Sequence, residues 1–294
     1  MPETRVELVG GIGNQLFGYY AGLYFQDKFG TSLSLDFNRI RNTGHPDSDI
    51  RFFELFPHRQ IENPNFNSQI LRTKRRIRDK ALIELPALGR ILYPRTSLVI
   101  DSGTLGENLS VRKMKILLRG YFGNFDYYET LKARIPKLKV ANPSNTLEKL
   151  TQESDYLKPI MVHIRGGDYL THSKIYGTLP PSYYLKAIEI ARLKVGNRPI
   201  WVYTDDMKLA NSIFSQLAIK VRFIDDEFDL NPAEALYLQS TGSANITANS
   251  TFSSWAAALN IQSDVKICPA KFFIDGRTTP HWPPLNWQAI GPGW

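Results

Sequence analysis

One short segment combines the residue types needed to bind a phosphate-bearing ligand and to assist its departure. His163, Arg165 and Asp168 follow an apolar run that is typical of a buried strand. The two-residue period of a strand places His163 and Arg165 on the same side. An arginine there can hold a pyrophosphate through its forked, charged donors and stabilise a leaving nucleotide. These three residues are the candidate catalytic group, although Arg165 could instead pair with Asp168 for a structural purpose.

A glycine turn near the start of the chain is the second candidate site. It follows an apolar strand and opens a helix, so its backbone amides can approach an anion at the positive end of the helix dipole. It is not a dinucleotide fingerprint, because Leu16 stands where the third glycine belongs, and no Lys-Ser/Thr pair follows Gly18 as in a P-loop. A purely structural turn is the alternative. The candidate donor-binding residues are Gly10, Gly11, Gly13 and Asn14.

A third candidate site lies at another junction between a strand and a helix. There Ser250 can cap the helix, and amides and hydroxyls can hold phosphate oxygens, although a plain helix cap is the alternative. The candidate residues are Asn249, Ser250, Thr251, Phe252 and Ser253. Asp205 and Asp206 end a further strand and resemble a metal-binding pair, but they lack D-x-D spacing and nearby histidines. We therefore expect no metal.

The elements that position these segments follow from hydrophobic patterning. Strand, glycine turn, helix and strand over about 5–36 predict a βαβ opening. In the second half, strands at 159–164, 200–204, 221–224, 244–248 and 265–267 alternate with helices at 181–194, 207–217, 233–240 and 251–260. Such alternation predicts a parallel sheet with helices on both faces. Ligands of such sheets bind beyond the carboxyl ends of the strands, which selects 163–168, 205–206 and 249–253.

Length and charge limit the remaining choices. The 294 residues favour two domains, which we place at 1–150 and 151–294, with a variable, basic, partly helical insert at about 40–97. The net charge of +8 suits an anionic partner, and much of it is concentrated in 72–80. That cluster predicts a peripheral contact with the inner face of the plasma membrane, while a solvated helical face is the alternative.

Cysteine content and apolar runs bear on the compartment. Cys268 is the single cysteine, so no intrachain disulfide can form and a reducing cytosol fits best. The longest uncharged stretch, 8–26, is interrupted by several glycines and follows acidic residues, so it resembles neither a signal peptide nor a membrane span. We expect a cytoplasmic protein.

Taken in order, the three segments resemble the α-1,2-fucosyltransferase family, glycosyltransferase family 11, of bacterial type. The family pattern runs G-G-x-G-N-Q-x-F, then H-x-R-R-G-D-Y, then N-S-T-F-S-x-W. Here it falls at Gly10–Phe17, His163–Tyr169 and Asn249–Trp255. The resemblance spans nearly the whole chain, with further similarity at 117–128, 182–184 and 204–206.

The resemblance implies a GT-B-like fold, with two Rossmann-type domains whose parallel sheets face each other across a cleft. It implies inverting, metal-independent transfer of L-fucose from GDP-fucose to a galactose-type hydroxyl, forming an α-1,2 linkage in a bacterial surface glycan such as an O-antigen. Arg165 then becomes the pyrophosphate clamp, His163 a donor contact, and Asp168 a residue that orients its loop. Residues 10–14 become a donor-facing loop, and Ser250–Ser253 a cradle for phosphate and sugar. Asp205 joins the donor-binding set.

Three departures from the family pattern concern the donor. The second arginine of H-x-R-R-G-D is Gly166, the family's His-Gly is Tyr176-Gly177, and the acidic residue facing guanine falls at Ala235, beside Glu234. We assign Glu234 to guanine recognition in its place.

Other functions stay open at this point. Within the enzymes, transfer of another nucleotide-linked deoxy sugar, such as colitose from GDP-colitose, is the runner-up. A basic nucleic-acid-binding protein is a remote alternative, because no nucleic-acid motif accompanies the charge. A lectin-like protein would bind sugar without turning over a nucleotide sugar. The partners we expect are a nucleotide sugar and a glycan acceptor, which can be lipid-linked, with no cofactor and no nucleic acid.

Overall fold

The structure is a computed structural model that describes residues 2–40, 49–55, 58–62, 69–83, 92, 96–100, 115–171, 173–277 and 281–291. By its internal contacts the chain divides into two compact units. The first comprises 1–50 and 55–137, and the second comprises 51–54 and 138–294. The 150/151 boundary expected from the sequence falls inside a helix, Asn145–Leu157, so the division lies ahead of it.

The first unit contains a five-stranded sheet in which every pairing is parallel. Its strands are β1 (Glu3–Glu7), β2 (Ser32–Asp36), β3 (Arg59–Ile61), β4 (Thr96–Ile100) and β5 (Lys115–Arg119), in the order β3-β2-β1-β5-β4. β3 comes from the segment expected to be an insert at about 40–97. That segment therefore contributes an edge strand to the sheet.

Three helices of this unit are described: α1 (Ile12–Phe29), α2 (Gln69–Ile83) and α3 (Asp126–Leu131). α1 is buried on most of its circumference and packs closely on the sheet. A Cβ at Gly22 would lie 2.6 Å from Val6 Cγ2 and 2.8 Å from Leu33 Cδ1, so only glycine permits this approach. The glycines of the opening segment thus serve packing as well as the turn.

The second unit is built on a six-stranded sheet, again parallel throughout, in the order β11-β10-β9-β6-β7-β8. Its strands are β6 (Ile160–Ile164), β7 (Ile200–Thr204), β8 (Arg222–Phe223), β9 (Ala244–Ile246), β10 (Lys266–Pro269) and β11 (Gln288–Ile290). Its helices are α4 (Asn145–Leu157), α5 (Gly167–Thr171), α6 (Pro181–Val195), α7 (Met207–Leu217), α8 (Ile224–Glu227), α9 (Pro232–Gln239) and α10 (Thr251–Leu259).

The core of the second unit forms where β6 and β7, buried along their whole length, meet the apolar faces of α6 and α7. Buried, branched apolar strands are what a sheet covered on both faces requires. The α/β class with two parallel sheets, predicted from the sequence, is confirmed. β9 ends at Ile246 rather than at the expected Ala248, which leaves a loop before α10.

Within the described ranges, no helix is both long enough and apolar enough to cross a lipid bilayer.

Candidate functional site

The carboxyl ends of three neighbouring strands gather the predicted residues of the second unit. β6 lies between β7 and β9, with Ile164 beside Thr204 and Val162 beside Ile246. The loops that follow these strands therefore emerge together. Two contacts join them directly: the Tyr169 hydroxyl donates to the Asn249 carbonyl at 2.9 Å, and a 5.5 Å centroid distance separates the rings of His163 and Phe252. The structure thus brings His163, Arg165, Asp205 and 249–253 to one edge.

Arg165 is held by a carboxylate and by an aromatic face. Its Nη1 lies 2.6 Å from Asp205 Oδ2, and its guanidinium carbon lies 5.2 Å from the centroid of the Tyr169 ring. The alternative partner proposed from the sequence was Asp168, whose side chain lies outside the described part of the structure. Among the described side chains, Asp205 pairs with Arg165. The Arg165 side chain is 22% exposed, so part of it is accessible to a ligand.

Both carboxylate oxygens of Asp205 bind the loop that carries Arg165. While Oδ2 pairs with Arg165, Oδ1 accepts the Gly166 N–H at 2.8 Å. A carboxylate would repel a phosphate, but here it fixes the cation that attracts one. Asp205 therefore belongs to the donor site through Arg165.

His163 is buried and carries no charge at neutral pH. Burial, and secondarily the positive charge of Arg165, lowers the pKa of His163 to about 3. Its Nδ1 has no hydrogen-bond partner. A neutral imidazole can take part in uncharged hydrogen bonds, but it cannot add a cation beside Arg165.

The loop before α10 is fixed by its own polar side chains. The Asn249 side-chain amide donates to the carbonyls of Tyr176 at 2.8 Å and Phe272 at 3.1 Å. Ser250 occupies the N-cap but its hydroxyl caps no amide, so the side-chain cap predicted from the sequence is wrong. The Ser253 hydroxyl donates to the Ser250 carbonyl at 3.2 Å. At the N-terminus of α10, an anion can bind to the backbone amides, to the positive end of the helix dipole and to the partly exposed Thr251.

The glycine turn belongs to the first unit, so the two groups of predicted residues lie in different units. Gly10 has φ +72°, and Gly11 is the N-cap of α1 without a side-chain cap. The amide of Gln15 donates to the Gly10 carbonyl at 2.9 Å, and its oxygen accepts the Ile50 N–H at 3.0 Å. A Cβ at Gly10 would lie 2.6 Å from Asn14 Nδ2. Gly10 and Asn14 therefore pack directly on each other at the start of α1, where Gly13 forms part of the first turn.

The assignment of Glu234 to guanine recognition is corrected by the structure. Its side chain is buried and belongs to a capping box at the start of α9. One carboxylate oxygen accepts the Ser144 N–H at 2.7 Å, and the other accepts the Asn231 N–H at 3.2 Å. Both oxygens bind the protein backbone, so Glu234 stabilises the helix start.

The Asp205–Asp206 pair does not converge on a cation. While Asp205 binds Arg165, Asp206 caps α7, its Oδ1 accepting the Leu209 N–H at 3.0 Å. In the part of the chain that the structure describes, no group of three or more histidine, cysteine, aspartate or glutamate side chains could hold a metal ion.

Three features of the edge were missed by sequence reasoning. Gly166 packs against the helix cap: a Cβ there would lie 2.5 Å from Asp206 Cβ. The rings of Tyr169 and Tyr176 stack at 4.3 Å. Asp225 accepts the Thr204 N–H at 2.6 Å. Burial raises the pKa of Asp225 to about 6, opposed by that hydrogen bond and reinforced by the charge of Asp205. Of these residues, Gly166 and Tyr176 carried a signal, as departures from the family pattern, and Asp225 carried none.

The basic segment 72–80 lies within α2. Lys74, Arg76 and Lys80 are exposed, as is Ile77, whose exposed fraction is 55%. Arg78 turns inward instead, with Nη2 at 3.6 Å from Glu7 Oε1. The side chains of Arg72 and Arg75 lie outside the described part.

The fold and this edge together define a class. A parallel α/β unit whose strand ends carry an oriented arginine beside a helix N-terminus is suited to binding a phosphate ester. Residues 113–286, more than half of the chain, match glycosyl transferase family 11, so the chain belongs to this family. The family resemblance seen in the motifs is thereby confirmed.

Two Escherichia coli proteins are similar along most of the chain. The O-antigen biosynthesis glycosyltransferase WbnK is 28% identical over 288 residues, covering 90% of this chain and 93% of the relative. An α-1,2-colitosyltransferase is 26% identical over 289 residues, covering 93% of each.

Solved structures confirm the GT-B-like fold. The fucosyltransferase NodZ from Bradyrhizobium superimposes with a TM-score of 0.51 at 12% identity, covering 88% of this chain and 92% of NodZ. A family 9 glycosyl transferase from Veillonella parvula gives 0.52 at 12% identity, covering 99% and 85%. At such low identity the likeness concerns the fold alone.

Proposed function

We propose that this glycosyltransferase moves L-fucose from GDP-fucose to a galactose-type hydroxyl, forming an α-1,2 linkage in a bacterial surface glycan. The observation that carries the proposal is the oriented Arg165, paired with Asp205 and joined through Tyr169 to the loop that opens α10. A guanidinium fork and a helix N-terminus at one edge form a site for a pyrophosphate.

In this reaction the acceptor hydroxyl attacks the anomeric carbon, the bond from that carbon to the β-phosphate oxygen breaks, and GDP leaves with the electron pair. Negative charge grows on the pyrophosphate during this step. Arg165 and the first amides of α10 meet that charge in fixed positions, so they stabilise the transition state more than the ground state. The acceptor proton passes to solvent or to buffer as the bond forms.

The remaining predicted residues take supporting roles in the proposal. His163, neutral at physiological pH, contacts the donor by hydrogen bonding, while Asp168 orients the loop that it shares with Arg165. Residues 10–14 form a donor-facing turn of the first unit, and Thr251, Phe252 and Ser253 complete the cradle. No metal is required, since the cations of the chain neutralise the leaving group.

Colitose transfer is the second candidate. It is favoured by the relative named an α-1,2-colitosyltransferase and by the replacement of the family's histidine with Tyr176. Both candidates share a GDP-linked 6-deoxy sugar and differ in the sugar ring.

The proposed setting is the cytoplasmic side of the plasma membrane, where a lipid-linked acceptor can be reached. The exposed Lys74, Arg76 and Lys80 of α2 support it, because clustered cations are attracted to anionic lipid headgroups.

A donor panel tests the proposal. Purified protein is incubated with a β-galactoside acceptor and, in turn, GDP-fucose, GDP-colitose, GDP-mannose, UDP-galactose and dTDP-rhamnose, and product is identified by mass spectrometry and NMR. We expect an α-1,2-linked product from GDP-fucose. Product from GDP-colitose alone selects the second candidate, and product confined to a UDP or dTDP donor contradicts both. Glycan binding without any turnover would indicate a lectin, and salt-sensitive duplex binding a nucleic-acid-binding protein.

A further inference from the structure

Arg165 sits at one end of a continuous row of rings. Its guanidinium covers the face of Tyr169, and Tyr169 stacks on Tyr176 with an interplanar angle of 16°. Tyr176 in turn packs on Phe273 at 5.4 Å, and the Arg277 guanidinium lies 5.0 Å from the Phe273 ring centroid. A cation therefore caps each end of a three-ring row.

The row is tied to the loop of α10 at two points. The Tyr169 hydroxyl donates to the Asn249 carbonyl, while the Asn249 side-chain amide donates to the Tyr176 carbonyl. Asn249 thus holds both stacked tyrosines, one by its backbone and one by its side chain. The stacked pair is therefore linked directly to the loop that opens α10.

The ion pair with Asp205 at 2.6 Å and the ring of Tyr169 both contact Arg165. A guanidinium prefers to lie over an aromatic face, so the ring favours one plane of the guanidinium where the carboxylate provides a point contact. The Tyr169 ring is itself held by stacking on Tyr176 and by the hydrogen bond from its hydroxyl to the Asn249 carbonyl.

We propose that Tyr176 is a positioning residue for pyrophosphate binding, acting on Arg165 through the ring of Tyr169. This assignment rests on the proposed function in taking the ligand to be the pyrophosphate of a nucleotide sugar. It explains why an aromatic ring is retained where the family has histidine: either ring can stack on Tyr169. The residue touches no reacting atom in this account.

The test measures pyrophosphate binding by titration calorimetry, because inorganic pyrophosphate depends on neither the sugar nor the base of the donor. Tyr176→Leu should weaken binding by about tenfold, the loss expected when a partly desolvated cation–π contact is released. Tyr176→Phe keeps the stacked ring and should bind as the unmodified protein does. Phe214→Leu is the matched control: it removes a ring from an edge-to-face pair with Phe223 in the same unit and should leave binding unchanged.

Kinetics with the accepted donor separate positioning from loss of fold. Tyr176→Leu should raise the donor KM and lower kcat together, while the acceptor KM and the circular dichroism spectrum stay as they were. Pyrophosphate affinity that is equal in Tyr176→Leu and the unmodified protein overturns the proposal, as does equal weakening in Tyr176→Phe. If Tyr176→Leu does not fold, Tyr169→Leu decides, because it removes the ring that contacts Arg165 and should weaken pyrophosphate binding by about tenfold. Unchanged binding in Tyr169→Leu overturns the assignment.

An incorrect donor assignment can be distinguished from an incorrect role for Tyr176. If no GDP sugar is turned over but pyrophosphate binding still follows the ring at 176, the proposed donor is wrong and the positioning role stands.

Discussion

Replacing Gly166 with alanine tests how tightly the loop of Arg165 packs on the next strand end. The added Cβ would lie 2.5 Å from Asp206 Cβ and 2.8 Å from its Oδ2. Both atoms belong to the residue that caps α7, so relief requires that the cap move. Losing an aspartate cap costs about 1 kcal/mol, and overpacking costs about 1–3 kcal/mol. We therefore expect Gly166→Ala to lower the free energy of unfolding by about 2–4 kcal/mol.

The assay is urea unfolding of four proteins in a double-mutant cycle. Asp206→Gly removes the clashing Cβ, and a glycine cap costs only a few tenths of a kcal/mol relative to aspartate. In that background Gly166→Ala should cost almost nothing, giving a coupling energy of about 2 kcal/mol or more. Gly291→Ala is the matched control, because a Cβ there meets no atom within 4 Å. Additive effects at Gly166 and Asp206 would refute the packing argument.

This prediction bears on the family pattern. Gly166→Arg restores the second arginine of H-x-R-R-G-D, yet it carries the same Cβ into Asp206. We expect it to be at least as destabilised as Gly166→Ala and to gain no activity.

Two further predictions concern titration and surface charge. The pKa of Asp225 in the folded protein, about 6, exceeds its ordinary value of 3.8. The contribution of Asp225 to the free energy of unfolding is therefore present at low pH and is lost as the pH rises through 6. Asp225→Asn keeps an acceptor for the Thr204 N–H, and should be more stable than the unmodified protein at pH 7.5 by on the order of 2–3 kcal/mol in urea unfolding, but not at pH 4; equal differences at both pH values would contradict this. Replacing Lys74, Arg76 and Lys80 of α2 with glutamine removes three exposed cations. In a sedimentation assay the affinity for anionic vesicles should fall by about a hundredfold, at about 1 kcal/mol for each charge. Glutamine at Lys132, Lys137 and Lys139 changes the net charge equally and should not affect binding, so equal loss in both sets would leave a merely solvated face.

The elements of the second unit were largely predictable because its sequence signals are strong. Five-residue apolar strands such as β7 have polar residues at their ends, and α7 starts beside a capping aspartate. β7 and α7 were predicted with their observed bounds. β3 was missed because Arg59–Ile61 is a short, polar edge strand without alternation, and such strands are defined by their neighbours. β4, Thr96–Ile100, was missed as well, at the end of the segment expected to be an insert.

The partners of the site residues could not be predicted from local sequence. The pairing of Arg165 with Asp205 depends on the register of β6 against β7, which sets Ile164 beside Thr204. The alternative considered from the sequence was Asp168, a carboxylate in the same motif, whose side chain lies outside the described residues. The role of Glu234 likewise depends on Ser144, a residue distant in the chain whose N–H it accepts.

The stacking of Tyr169 on Tyr176 could not be predicted from the sequence either. The sequence shows that Tyr176 replaces a histidine, but not that its ring lies flat on Tyr169. The segment between them, 170–175, carries no periodicity that would place one ring on the other. Only the folded loop shows that the replacement preserves an aromatic contact beside Arg165.

In the proposed reaction the Arg165 guanidinium holds the pyrophosphate of the donor as the bond between the pyrophosphate and the sugar breaks. The direct test is the initial rate of transfer from GDP-fucose to a β-galactoside by Arg165→Lys, with its fold checked by circular dichroism. Lysine keeps the charge but not the fork that binds a pyrophosphate at two points. We expect kcat/KM of Arg165→Lys to fall by about a hundredfold or more. A folded Arg165→Lys protein whose kcat/KM stays within about threefold of the unmodified enzyme, a change of under 1 kcal/mol in the barrier, would contradict it.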